Sequence, residues 1–98
     1  MVGFAVLGCG RIGKMHARNV AAHPRARLVT VYDVARRAAE AVGGELGAKV
    51  AGSVEEALST PGVDAAFIAS STDTHVDLLT RAAKAGKAVL CEKPIDLD

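Results

Sequence analysis

The chain has no tryptophan and only three aromatic residues in 98, Phe4, Tyr32 and Phe67. That scarcity removes the stacking platform on which single-stranded nucleic-acid binders depend. There is no excess of either charge to draw in a polyanion. Twelve Lys and Arg stand against eleven Asp and Glu, for a net +1, and no basic run gathers them. Cysteine is also scarce. Cys9 and Cys91 are too few and too far apart for a disulfide framework or a zinc site. Packing is the reading for both, with redox sensing the alternative. The longest apolar stretch at the N-terminus is too short to span a bilayer, and no cationic segment precedes it. A soluble, cytoplasmic protein with no nucleic-acid and no membrane partner is expected.

What is present is a half-apolar composition with 23% charged residues, enough for one small globular domain. Strand and helix patterns alternate throughout. Residues 2–7 read as a strand. Residues 11–22 read as a helix with Ile12, Met15, Ala17, Val20 and Ala21 inward, stopped near Pro24. A second strand spans 27–33. An alanine-rich helix follows, with Ala35, Ala38, Ala39 and Val42 on one side and Gly43-Gly44 closing it. A short strand is expected at 49–51, and Ser53 with Glu56 forms a capping box that starts a brief helix to Leu58. Pro61-Gly62 marks a turn. A strand at 64–69, a helix at 74–85 with Val76, Leu79 and Ala83 in register, a C-cap at Gly86 and a strand at 88–91 complete the series.

Strands joined through helices require parallel pairing, and right-handed crossovers place all the strands' C-terminal ends on one edge. The expectation is an α/β, doubly wound parallel sheet of order 3-2-1-4-5. Ile95-Asp96-Leu97-Asp98 looks like the approach to a further helix, and a complete fold of this kind has a sixth strand. The chain therefore reads as truncated before it, with residues 88–91 left at an open edge.

Gly8-Cys9-Gly10-Arg11-Ile12-Gly13 follows the first strand directly, and Asp33 stands twenty positions beyond the last glycine. Glycine loop, flanking strand and helix, and distant carboxylate together describe a dinucleotide-binding Rossmann unit. Gly8 would allow the tight turn, Gly10 the approach of a pyrophosphate, and Gly13 close packing of helix on strand. Arg11 and Ile12 belong to the helix N-terminus that would meet the phosphates. Asp33 is either a carboxylate for the adenine-ribose hydroxyls, favouring NAD over NADP, or an N-cap for the helix over 34–42. The glycine loop favours the first. Arg36 and Arg37 would lie over the adenine, tolerate a 2′-phosphate, or simply form a solvated face.

Ser70-Ser71-Thr72-Asp73-Thr74-His75 leaves the fourth strand at the switch point. Thr72, Asp73 and Thr74 are good N-caps, and the same turn would line the pyrophosphate or nicotinamide ribose. His75 is a packing residue or a cofactor ligand, with nothing in the pattern to decide. His16 is expected to face a neighbouring strand or loop, and His23 a helix end. Lys93 has an ordinary reading as a solvated charge. It also lies between Glu92 and Pro94 at the nicotinamide side, and Pro94 restricts it to extended geometry. An amine held there would assist proton removal from a substrate hydroxyl.

The segments GCGRIGKMHA, SSTDTH and AGKAVLCEKPIDLD together resemble the N-terminal domain of the glucose–fructose oxidoreductase / inositol dehydrogenase / MocA family over all 98 residues. The resemblance implies NAD bound on this domain and oxidation of a cyclitol or sugar hydroxyl by an oligomeric enzyme. It implies Lys93 as the lysine that hydrogen-bonds the reacting hydroxyl. Cofactor contacts would come from Gly8, Gly10, Arg11, Ile12, Gly13, Asp33, Arg37, Ser70, Ser71, Thr72, His75, Glu92 and Lys93. Many members carry Thr-Pro-Asn where this chain has Ser70-Ser71-Thr72, which weakens the transfer at Ser71 and Thr72. The family's remaining catalytic aspartate and histidine belong to a second domain that would follow residue 98. The alternatives are a dehydrogenase for another sugar and a catalytically silent nucleotide-binding or regulatory module. The open edge predicts that the 98-residue chain dimerises or swaps at high concentration. Light scattering checks this, and a monodisperse monomer counts against it.

Overall fold

The computed structural model describes residues 2–69, 78 and 80–91. The elements run β1 (Val2–Leu7), α1 (Arg11–Ala22), β2 (Ala26–Tyr32), α2 (Arg36–Leu46), β3 (Lys49–Val50), α3 (Val54–Ser59), β4 (Ala65–Ile68) and β5 (Ala88–Cys91). Residues 78 and 80–84 are also helical. All described pairings are parallel, and the sheet order is β3-β2-β1-β4-β5, as the alternation of elements predicts. No helix among the described residues is long and apolar enough to cross a membrane.

Side chains leave alternate faces of a strand, and in this sheet both faces are covered. Ala5 and Leu7 of β1 join Ala66 and Ile68 of β4 on one face, under Val54, Ala57 and Leu58 of α3 and the helical Leu78 and Ala82. Val6 and Val31 point the other way, toward Ala17 of α1 and Ala39 and Val42 of α2. Val6, Leu7, Val31, Val42 and Ile68 are all fully buried. An exposed fork, Arg18 Nε and Nη2 donating to Glu45 at 2.7 and 3.0 Å, links α1 to α2. It holds the Glu45 carboxyl below its ordinary range, although so exposed a pair adds little stability.

Three features differ from the sequence reading, two of them inward faces. On α1 the buried residues are Gly13 and Ala17, while Met15 is half exposed and Ala21 exposed. Small side chains draw the helix axis toward the sheet, and the larger ones are left along its flanks. On the last helix, Leu78 and Ala82 are buried and Ala83 is exposed. Val76 and Leu79 lie outside the described side chains.

The third difference is the end of α2. The Gly43-Gly44 pair does not close the helix; it continues to Leu46 and ends at Gly47, whose φ of 73° supplies the left-handed cap. Gly43 is there for closeness. A Cβ on it would stand 2.7 Å from Val50 Cγ2 and 2.8 Å from the Ala48 carbonyl oxygen, whereas one on Gly44 would meet nothing. Ser53 does cap α3 as its pattern predicts, accepting from the Glu56 N–H at 3.0 Å.

Adjacent glycines should therefore respond with opposite signs. Gly43→Ala should destabilise by about 1–3 kcal/mol through overpacking. Gly44→Ala should stabilise by about 0.5–1 kcal/mol through helix propensity. Urea unfolding of the two variants checks both.

Candidate cofactor-binding site

The end of β1 turns at Gly8, whose φ of 109° is open to glycine and strained for other residues. The Gly8 N–H donates to the Tyr32 carbonyl at 2.7 Å, which fixes the turn to the end of β2. Gly13 then seats α1 on the same residue. A Cβ there would fall 1.8 Å from the Gly8 carbonyl oxygen, so only glycine allows this contact. Gly10 is the N-cap of α1 and offers no side-chain hydrogen bond to it. A Cβ on Gly10 would meet nothing within 4 Å.

Comparison of helix starts within the chain is informative. The start of α3 is filled by its own residues, Ser53 at the cap and Glu55 and Glu56 in the first turn. Those of α2 and α1 have neither a side-chain cap nor an acidic residue in the first turn, and what sets α1 apart is the glycine loop that leads into it. Its first-turn N–H groups, on Arg11, Ile12 and Gly13, have no carbonyl one turn earlier within the helix. They carry the positive end of the helix dipole, and the Cβ side of Gly10 beside them is open. A helix start of this kind suits an anion, the ligand expected of the six-residue motif.

Asp33 lies just past β2 instead of ending it, and it is not the N-cap of α2. That helix starts at Arg36 after Ala35, which gives no side-chain cap. The Asp33 carboxylate instead accepts from two backbone donors. The Ala35 N–H reaches Oδ1 at 2.8 Å, and the Cys9 N–H reaches Oδ2 at 2.6 Å. It thus stands at the rim of the glycine loop. Arg36 Nε pairs with Glu40 at 3.1 Å on the exposed side of α2, and Arg37 is exposed beside it. The sequence reading missed Val34, an apolar residue 88% exposed immediately after the carboxylate. The signal was available: in Val31-Tyr32-Asp33-Val34 an apolar residue stands two positions beyond Tyr32, the last residue of the strand.

Cys9 packs with Val6, Ala17 and Val31 and is 4% exposed, the packing reading of its sequence position. Its Sγ lies 3.6 Å from the Tyr32 carbonyl oxygen. Burial, reinforced by the neighbouring Asp33 charge, pushes the thiol up to about 11 from 9.0. Burial and a raised pKa both favour the packing reading at Cys9, while the side chain of Cys91 lies outside the described residues. His16 faces β4 as expected, stacked on Phe67 with ring centroids 4.4 Å apart. His23 forms the C-cap of α1, and its Nδ1 accepts from the Arg25 N–H. Ser70, Ser71, Thr72, Asp73, Thr74, His75, Glu92 and Lys93 lie outside the described residues.

A family model described as an oxidoreductase family with an NAD-binding Rossmann fold matches residues 2–98. The chain belongs to the glucose–fructose oxidoreductase / inositol dehydrogenase / MocA family. An inositol 2-dehydrogenase of Rhizobium meliloti is 50% identical over 97 residues, 99% of this chain and 29% of its own length. A scyllo-inositol 2-dehydrogenase (NAD(+)) of Bacillus subtilis is 45% identical over 95% of this chain and 28% of its own. The crystal structure of GenD2 from gentamicin A biosynthesis, in complex with NAD, superposes with a TM-score of 0.90 at 34% identity, covering 99% of this chain and 28% of that one. The chain thus spans under a third of the length of these relatives. As an NAD-binding Rossmann domain of this family, it presents residues that fit the cofactor. The open space over Gly10 suits the pyrophosphate, and the carboxylate at the rim suits a ribose.

The buried thiol sets a pH limit on the loop. A raised folded-state value means that the stability from the neutral Cys9 is complete below about pH 9 and lost as pH climbs through about 11. Denaturant unfolding at pH 8 and pH 11 should show this loss, and Cys9→Ala should show less of it.

Proposed function

We propose that the protein carrying this domain is an NAD-dependent dehydrogenase that oxidises a ring hydroxyl of a cyclitol or sugar, with an inositol as the leading substrate. The observation that carries this reading is whole-chain similarity to inositol dehydrogenases together with a bare glycine-loop cradle beside Asp33.

Bound NAD supplies a two-electron acceptor at its nicotinamide ring. In this reading the chain's own residues bind the cofactor and orient and polarise the reacting hydroxyl, whose proton passes to a base on the second domain. The N–H groups at the start of α1, on Arg11, Ile12 and Gly13, hold the pyrophosphate over Gly8 and Gly10. Asp33 accepts from the adenine-ribose hydroxyls and repels a 2′-phosphate. Val34 offers an apolar face to the adenine, with Arg37 over the ring. Ser70, Ser71, Thr72, His75 and Glu92 line the nicotinamide side. Lys93 hydrogen-bonds the reacting hydroxyl, and its positive charge favours loss of that proton. A second domain beyond residue 98 would complete the substrate site and select the polyol.

Three measurements test this. Calorimetry should give NAD binding at least about tenfold tighter than NADP, since a 2′-phosphate facing a fixed carboxylate costs about 1.4 kcal/mol or more; a preference for NADP refutes the role of Asp33. In the full protein, Lys93→Met should lower kcat by about 10²–10⁴ with little change in NAD affinity; equal losses in both would make Lys93 a cofactor contact. A panel of inositols and aldoses on the full protein identifies the substrate, and an aldose in the lead would place the enzyme among sugar dehydrogenases.

A further inference from the structure

The Asp33 carboxylate is engaged by the chain's own backbone. Its Oδ2 takes the Cys9 N–H at 2.6 Å, across 24 positions of sequence, and its Oδ1 takes the Ala35 N–H at 2.8 Å. Cys9 stands between Gly8 and Gly10, the two most freely rotating residues of the loop. The neighbouring Gly8 N–H is tied to the Tyr32 carbonyl at 2.7 Å. Two successive amides of the loop are therefore fastened to two successive residues at the end of β2.

We propose that Asp33 is a positioning residue for the phosphate-binding loop as well as a contact for the ribose. It latches the loop in its anion-binding form, so that recognition of the adenosine end and binding of the pyrophosphate are coupled through one side chain. The proposal rests on the reading of the loop as a dinucleotide site. Its physical basis is the cost of ordering. A Gly-Cys-Gly turn loses more backbone entropy on folding than an ordinary loop. A charge-assisted hydrogen bond to its central amide lowers what remains to be ordered when phosphate binds.

The same two bonds keep the carboxylate from swinging aside. A carboxylate held by two backbone donors presents its remaining lone pairs in one direction, where a diol fits and a 2′-phosphate is repelled. Asparagine cannot replace it. Its amide nitrogen is a donor, so one of the two backbone N–H groups would meet another N–H.

A ligand lacking the ribose hydroxyls separates the two roles. If Asp33 served the ribose alone, Asp33→Asn would bind 2′,3′-dideoxy-ADP as tightly as the parent protein, or more tightly for want of a repelling charge near the phosphates. The latch predicts the opposite, a loss of about tenfold for an unsatisfied loop amide. Calorimetry on the full protein with ADP, dideoxy-ADP and NAD reads this directly. Amide hydrogen exchange without ligand gives an independent readout. Exchange at Cys9 should rise by about tenfold in Asp33→Asn while Val42 in α2 stays protected. Undiminished dideoxy-ADP binding together with unchanged exchange at Cys9 overturns the latch. Failure of the parent protein to bind NAD would refute the cofactor reading instead, and the exchange at Cys9 would still decide the latch.

Discussion

The contact on which the rest of the site depends is backbone against backbone. Gly13 of α1 rests on the carbonyl of Gly8, so closely that a methyl group there would overlap the oxygen. That contact sets how near α1 comes to the sheet and where its N-terminus points. Everything placed by α1 inherits the constraint. The first-turn amides open over Gly10, Ala17 packs against the sheet, and His16 lies on Phe67. Close helix-on-strand packing and an accessible set of N–H donors thus follow from the same missing side chain.

The loop is held from its other side by the end of β2. Tyr32 supplies a carbonyl to Gly8, and Asp33 supplies a carboxylate to Cys9. In a parallel sheet the C-terminal ends of neighbouring strands lie side by side, which makes this cross-strand tethering possible. The composition serves the same end. Ala17, Ala39, Ala57, Ala66 and Ala82 fill the layers between helices and sheet with little bulk, so helices from both faces approach closely in a chain that has few aromatic side chains to spread them.

Much of this was legible in the chain. The alternation of apolar runs with helical stretches gave the strand order, and β1, α1 and β5 begin and end where their patterns predict. Ser53 caps its helix because its partner amide is three residues away, a local interaction that spacing alone reveals. The misread features have a common character. Hydrophobicity alone puts Met15 inward, and propensity alone ends the helix at Gly43-Gly44. In both places closeness between elements overrode the local rule. A helix that must touch its strand turns its smallest residues inward, and a glycine inside α2 makes room for Val50 and the Ala48 carbonyl.

The candidate site divides in the same way. Residue types and spacing alone determined the glycine loop, the carboxylate some twenty positions later and the family resemblance, because these depend on backbone freedom and charge that each residue carries with it. Only the tertiary structure decided which backbone groups the carboxylate holds. The sequence allowed Asp33 to cap α2 or to face a ribose, and neither reading included its bond to Cys9. Partners 24 positions apart meet only after β1 and β2 have paired. Hydrogen bonds between distant segments leave no periodic trace in a chain, since their geometry exists only once the strands lie side by side.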